Sequence, residues 1–75
     1  MALVGQTVLR GPDGTRWVVH TRADGSRFVT TARRTGCDLR PAATTTSATR
    51  EAAEAAHRRH VEAIGRNGEP AAEGR

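Results

Sequence analysis

Apolar and polar residues alternate through the first half of the chain, which is the period-two pattern of β-strands with one buried face. The alternation predicts strands at residues 3–10, 15–22 and 27–34. A GPDG turn at residues 11–14 separates the first two strands, and Pro12 suits its first central position. An Asp-Gly pair lies between the other two strands. Because this dipeptide is a strong hairpin signal, we expect those strands to form a β-hairpin.

The period changes to about 3.6 residues over residues 48–64, ATREAAEAAHRRHVEAI. One stripe of this segment, at positions 53, 56, 57, 60, 61 and 64, carries Ala, Ala, His, His, Val and Ile. Such a stripe is typical of an α-helix that packs on a sheet. Thr46, Ser47 or Thr49 can supply the N-cap, and Gly65 is the expected stop.

These elements predict an α+β domain in which a three-stranded antiparallel β-sheet carries one C-terminal α-helix packed on one face. Residues 35–47, rich in Thr, Ala, Gly and Pro, are expected to form a long loop before the helix. The predicted domain covers residues 1–64. Residues 65–75 lack apolar periodicity and are expected to form a disordered tail.

The core of this domain is expected to be small, because Leu, Val, Ile and Phe together occupy 11 of the 75 positions. A single core in a chain of this length rarely supplies more than about 3–5 kcal/mol. We therefore expect the chain to gain stability from a homodimer contact or from a bound partner.

Positive charge is concentrated in the part of the chain that is predicted to form strands. All twelve basic side chains are Arg, against eight acidic ones, for a net charge of +4. Residues 1–50 hold eight Arg and three Asp, a net of +5, whereas residues 51–75 hold four Arg and five Glu, a net of −1. A basic surface of this kind attracts phosphates, anionic membranes or acidic proteins.

The predicted hairpin presents one basic face and one apolar face. A two-residue loop at Asp24–Gly25 determines the expected register. It places opposite each other, on one face, the pairs Arg22–Arg27, His20–Val29, Val18–Thr31 and Arg16–Arg33. The other face, which the helix is expected to cover, carries Trp17, Val19, Thr21, Phe28, Thr30 and Ala32.

Like charges directly opposite each other destabilise a sheet, so paired arginines indicate an anionic ligand over the exposed face. A merely solvated face is the alternative, because charged side chains are mostly exposed in proteins. A three-residue loop with a bulge at Gly25 would also change the register and move Arg27 and Arg33 to the face of Trp17. The sequence leaves these alternatives open.

The segment DGTRWVVHTRADGSRFVTT, followed by a helix that begins TREAAEAA, resembles the small amino-terminal, arm-type DNA-binding domain of phage integrases, which is related to the plant AP2 domain. The resemblance is carried by Trp17 after the Asp13–Gly14 turn, by the second Asp-Gly turn and by the helix opening at residues 49–53. In that family a three-stranded sheet enters the major groove and the helix braces its back. The resemblance implies a free-standing DNA-binding module, such as a phage-derived or mobile-element accessory protein or a small regulator.

Binding of double-stranded DNA assigns the basic side chains to phosphates, or to guanine edges in the groove. The residues predicted to bind DNA are Arg10, Arg16, Arg22, Arg27, Arg33 and Arg34, with His20 and Thr31 as lesser polar contacts. Trp17 and Phe28 are expected in the core, which leaves no aromatic platform for single strands. A double-stranded RNA-binding domain has a similar sheet but needs a second helix, which the sequence does not predict.

Zinc is the main alternative for the site chemistry, with His57, His60, Cys37 and either His20 or Asp38 as candidate ligands. The spacing disfavours it, because two residues separate the helical histidines where zinc fingers use three to five, and no CxxC pair is present. We predict neither a metal nor another cofactor. No Gly-rich phosphate loop or suitable carboxylate pair occurs either, so an enzyme is not expected.

A soluble, cytoplasmic protein is expected, because the start MALVGQTV lacks a basic region and no apolar run approaches the length of a membrane span. The single cysteine, Cys37, cannot form an internal disulfide, which agrees with a reducing compartment. The second hypothesis for the function is a protein-interaction module, such as an adaptor, an antitoxin-like protein or an anti-defence protein, that docks an acidic partner.

Overall fold

A meander of four antiparallel strands, in the order β1-β2-β3-β4, forms the sheet, and one helix lies across one of its faces. The structure, a computed structural model, describes residues 2–35 and 41–71. The elements are β1 (Ala2–Arg10), β2 (Arg16–Asp24), β3 (Arg27–Arg34), β4 (Ala43–Ser47) and α1 (Arg50–Asn67). The predicted α+β fold with a C-terminal helix is confirmed, but the sheet has four strands rather than three.

The fourth strand lies in the segment that the sequence predicted as a loop. Residues Ala43–Ser47 pair with β3 from Ala32↔Ala43 to Phe28↔Ser47. The run ATTTS lacks apolar alternation, yet threonine is β-branched and suits a strand that another strand supports. Residues 36–40, which include Cys37, lie outside the described part of the chain.

The hairpin between β2 and β3 has a two-residue loop, but the loop is Gly25–Ser26 rather than Asp24–Gly25, because Asp24 pairs with Arg27. Gly25 has a φ of 65°, and Ser26 does not have a positive φ. Positive φ at the first loop residue alone is the sign pattern of a type II′ turn, which favours glycine there. The loop therefore forms where glycine can take its first position.

This loop shifts the register by two positions, so the predicted cross-strand pairs are wrong. The observed pairs are Arg22↔Val29, His20↔Thr31, Val18↔Arg33 and Asp24↔Arg27. Because the shift is even, each side chain keeps its predicted face. The alternative with a three-residue loop, which would have moved Arg27 and Arg33 to the face of Trp17, is excluded.

The helix begins at Arg50, two residues after the predicted start, and ends at Asn67, three residues after the predicted end. Thr49 is the N-cap, and its side chain accepts a hydrogen bond from the backbone N–H of Ala52 at 3.1 Å. The helix continues past Gly65 to Asn67, and Gly68, with a φ of 81°, is the left-handed C-cap. Its N–H donates to the carbonyl of Ile64 at 2.9 Å, which closes the last turn.

A small core lies between α1 and the sheet, and the stripe predicted from the sequence forms it on the helix side. Its buried apolar cluster consists of Trp17, Val19, Ala32 and Ile64, with Leu9, Ala43 and Val61 packed against it. Ala53, Ala56 and His60 of the helix are also buried. The helix therefore occupies one sheet face, and the other face stays uncovered within the described residues.

Candidate nucleic-acid interface

We call the sheet surface on the side away from α1 the open face. The strand registers arrange its side chains in rows that run across the strands. From the GPDG turn to the hairpin loop, the rows are Arg10–Arg16, then Val8–Val18–Arg33, then Gln6–His20–Thr31–Thr44, then Leu3–Arg22–Val29–Thr46, and last Asp24–Arg27. The order of these rows determines which charges are neighbours.

Three arginines meet at the end of the open face next to the GPDG turn, and we call them the turn-end cluster. Arg10 lies directly opposite Arg16 on the neighbouring strand. Arg33 is the diagonal neighbour of Arg16, because it pairs with Val18. Directly opposite residues have Cβ atoms about 4.5–5.5 Å apart, and like charges there destabilise the sheet. A directly opposed pair of arginines is therefore present, as predicted, but it consists of Arg10 and Arg16 rather than the predicted partners.

Two further arginines, Arg22 and Arg27, form the hairpin-end cluster. They are diagonal neighbours across the hairpin, and Asp24 faces Arg27 directly. Arg16 and Arg22 lie six residues apart on β2, which corresponds to about 20 Å along the strand. The open face thus carries one basic cluster at each end. Among its described residues, the acidic side chain is Asp24, which lies beside the hairpin-end cluster.

A polar row lies between the two clusters. His20 and Thr31 are joined by a hydrogen bond of 3.1 Å between Nδ1 and Oγ1. Thr31 is only 5% exposed, so its hydroxyl orients the His20 ring and has little surface for contact with a ligand. Gln6 and Thr44, at the two ends of this row, are exposed. These two residues could not be placed on the open face from the sequence alone, because that placement requires the registers of β1 and β4.

Of the eight residues predicted to bind DNA, one lies elsewhere. Arg34 pairs with Trp17, so it belongs to the face that carries the helix. Its guanidinium carbon lies 5.9 Å from the centre of the Trp17 ring, within the range of a cation–π contact. The structure places the other seven together on the open face: Arg10, Arg16, His20, Arg22, Arg27, Thr31 and Arg33.

The opposite side of the molecule has mixed charge. On α1, Arg50 and Glu54 approach to 4.0 Å as an exposed ion pair one turn apart. Glu51 and Glu62 further offset the arginines of the helix. The positive field is therefore concentrated on the open face.

Two histidines that the sequence offered as zinc ligands instead join the helix to the sheet. His57 contacts the hydroxyl of Thr7 through Nε2 at 2.9 Å and that of Thr21 through Nδ1 at 3.0 Å. His60 contacts the hydroxyl of Thr45 through Nε2 at 3.0 Å. Burial lowers the pKa of His57, and the charge of His20 lowers it further. In the described ranges, no three His, Cys, Asp or Glu side chains form a metal-binding group.

Among the described residues, two clefts lie beside the core, and a third, of about 400 Å³, lies next to the hairpin loop and includes Arg27 and Thr46. One of the two beside the core, of about 450 Å³, lies between the GPDG turn and the end of α1 and includes Trp17 and Arg34. The other, of about 350 Å³, lies between β1 and α1 and includes Gly5 and His57. Neither of these two is on the open face.

No protein-family model, curated protein or solved structure matches the chain. Among the described residues, no helix combines the length and the apolar character that crossing a bilayer requires.

Proposed function

We propose that this protein binds double-stranded DNA through the open face. The observation that carries the proposal is the gathering of five arginines on one sheet face against a single carboxylate, that of Asp24. The five are Arg10, Arg16, Arg22, Arg27 and Arg33. A positive field on a broad, uncovered sheet attracts the phosphate backbone, which is the densest source of negative charge on a duplex.

The spacing of the two clusters also suits a duplex. They lie about 20 Å apart along β2, on either side of a neutral polar row. The major groove of B-DNA is about 12 Å wide, so arginines at both ends can contact the two backbones that border it. Phosphate contacts position the protein, whereas Gln6 and Thr44 of the polar row would lie nearest to base edges.

The directly opposed pair Arg10 and Arg16 supports the same proposal. Two arginines directly opposite each other in a sheet repel each other in the free protein. A phosphate between them would turn that repulsion into two charge-assisted hydrogen bonds. The resemblance of the hairpin and helix to the integrase arm-type domain points in the same direction.

A protein-interaction module is the second candidate. The observation that favours it is the presence of two exposed aliphatic side chains on the open face, Leu3 at 62% and Val8 at 57%. An acidic protein partner would use both the arginines and these apolar contacts. Random duplex DNA would then bind no more tightly than expected for any basic protein.

The test is fluorescence anisotropy with a short random duplex at salt concentrations between about 50 and 200 mM. Because each neutralised phosphate contributes about −0.9 to the slope of log K against log salt, five arginines predict a slope approaching about −4.5. Arg16→Ala and Arg22→Ala should each weaken binding and reduce the slope by about one unit. Arg58→Ala and Arg59→Ala, exposed on α1, are the matched controls and should change neither.

Absence of duplex binding at low salt would contradict the proposal. Equal losses from the sheet and helix variants would contradict it too, since they would indicate attraction by net charge alone. A chain that ignores duplex DNA but binds an acidic polypeptide at physiological salt would establish the second candidate instead.

A further inference from the structure

The first strand is an edge of the sheet with little protection. β1 pairs with β2 on one side only, because the strand order places it at the end of the sheet. Residues 2–9 contain no charged residue and no proline. Natural edge strands usually carry such residues, which prevent pairing with another chain. The other edge, β4, has five residues, whereas β1 has nine.

The helix leaves the middle of this edge uncovered. A Cβ atom added to Gly5 would meet no atom within 4 Å. The cleft of about 350 Å³ between β1 and α1 opens at the same place. Another strand can therefore approach the backbone of β1 without displacing part of the fold.

Two exposed aliphatic side chains lie symmetrically on this edge. They are Leu3 and Val8, the two large apolar side chains that are more than half exposed among the described residues. Val4 is an extra residue at a bulge, because Leu3 and Gly5 occupy successive positions opposite β2. On the ladder, Leu3 therefore lies two positions before Gln6, and Val8 lies two positions after it.

We propose that two copies of this chain pair through their β1 strands, antiparallel, about a two-fold axis at Gln6. In this register Gln6 faces Gln6 of the second copy, and Val8 faces Leu3 of the second copy on each side of the axis. Each exposed aliphatic side chain gains an apolar cross-strand neighbour, and the two-fold axis produces this Leu3–Val8 contact twice. The self-complementary placement of Leu3 and Val8 identifies the second copy as the occupant, since an unrelated strand would not require this symmetry.

The dimer forms one continuous sheet of eight strands. Residues directly opposite each other point to the same face, so the two open faces join and the two helices share the other side. Arg10 lies outside the seam between residues 3 and 8, so no arginine faces another across the axis. The inference does not depend on DNA binding, although the joined face would present ten arginines in place of five.

Sedimentation equilibrium without nucleic acid tests the inference. The wild-type chain should show a reversible dimer. Leu3→Glu and Val8→Lys should each raise the dimer dissociation constant about ten-fold, since each removes two symmetric cross-strand contacts. The double variant should return towards the wild-type value, because the proposed register places the new carboxylate opposite the new ammonium group of the other copy. Thr46→Lys, on the same face at the opposite edge, is the matched control and should leave the dimer unchanged.

Recovery of the dimer by the double variant is specific for the register in which Leu3 of one copy faces Val8 of the other. Leu3 and Val8 of one chain lie five residues apart on the same strand, too far for their replacements to pair within one copy. A wild-type chain that stays monomeric at the highest concentration overturns the inference. So does a double variant that is as weak as the singles, or a control that weakens the dimer. Far-UV circular dichroism of each variant shows that the comparison is between folded chains.

Discussion

The opposed pair Arg10 and Arg16 is the residue-scale feature that links stability to function. Both side chains lie on the open face, directly across the β1–β2 ladder. At the other end of that face, Arg27 lies opposite Asp24, which is a favourable pair. Removing one arginine at each place therefore has opposite effects on folding and the same effect on DNA binding.

Arg16→Gln should stabilise the free protein by about 0.2–1 kcal/mol, because it removes a like-charge pair. Arg27→Gln should destabilise the free protein by a similar amount, because it removes an opposite-charge pair. Both should weaken duplex binding. Urea denaturation and anisotropy of the two variants check the prediction, and a loss of stability in Arg16→Gln would contradict it.

His57 should make the fold sensitive to acid. Its pKa in the folded chain is lowered from 6.5, first by burial and then by His20. The unfolded chain therefore binds more protons than the folded chain between the two pKa values, and stability rises with pH in that window. The contribution is complete above about pH 6.5 and is lost as the pH falls through the lower folded value.

Urea denaturation in steps from about pH 7.5 to pH 5 measures this effect. His57→Gln removes the titrating group and should flatten the curve over that range. Glu54 and Arg58 line the same cleft, so their single neutral variants are the controls for nearby charge. A wild-type curve no steeper than that of His57→Gln would show that this histidine does not govern the response.

At the scale of the element, the end of α1 depends on two glycines with opposite requirements. Gly65 lies within the helix, and a Cβ atom there would meet nothing within 4 Å. Gly68 has a φ of 81° and caps the helix. The Cα atom of Gly68 would also lie 3.3 Å from a Cβ atom added to Gly11. The GPDG turn therefore packs closely against the C-cap of the helix.

Gly65→Ala should stabilise the fold by about 0.8–1 kcal/mol, because alanine favours the helix and has room here. Gly68→Ala should destabilise it by about 1 kcal/mol, because an L-residue is strained in the left-handed region. Thermal denaturation of the two variants measures both effects. Equal effects of the two substitutions would contradict the assigned helix end.

The hairpin element shows why a strong local signal can still misplace a register. Asp-Gly was the obvious loop dipeptide, yet Gly25 occupies the first loop position and Ser26 the second. Type I′ and type II′ loops both accept glycine, but at different positions. The choice between them moves every pair by two, and the Asp-Gly dipeptide alone does not determine that choice.

At the scale of the whole molecule, charge and burial are separated between the two faces of one sheet. The helix supplies the core for one face, and the arginines occupy the other. A ligand that binds only the folded chain adds stability in proportion to the logarithm of its concentration. A small core makes this addition easy to detect.

Saturating duplex DNA should therefore raise the melting temperature. At a free duplex concentration of about 100 times Kd, the added stability is about 2.7 kcal/mol. The shift should shrink with added salt and with Arg22→Ala. Differential scanning fluorimetry of the intrinsic Trp17 emission follows the transition, and a melting temperature unchanged by duplex DNA would argue against a folded-state complex.

Features that depend on neighbours along the chain could be predicted from the amino-acid sequence. Period-two alternation, combined with a two-residue loop, predicted the observed faces of the hairpin side chains other than Arg34. The 3.6-residue period placed Ala53, Ala56, His60 and Ile64 on the buried stripe, and Thr49 was among the expected caps. The GPDG turn closes as predicted, with the N–H of Gly14 donating to the carbonyl of Gly11 at 3.0 Å. These preferences are local, so a short window of sequence contains them.

The order of the strands and their registers depend on contacts between segments that are distant in the chain. β4 forms because β3 offers it a ladder, and Arg34 lies over Trp17 because the register places them opposite each other. Arg10 faces Arg16 for the same reason. Pairing across strands depends on turn geometry and on contacts distant in sequence, which differ by small free energies between competing registers. The sequence therefore predicted five arginines that lie on the open face but wrongly added Arg34, whereas Gln6, Thr44 and the cross-strand pairing required the tertiary structure.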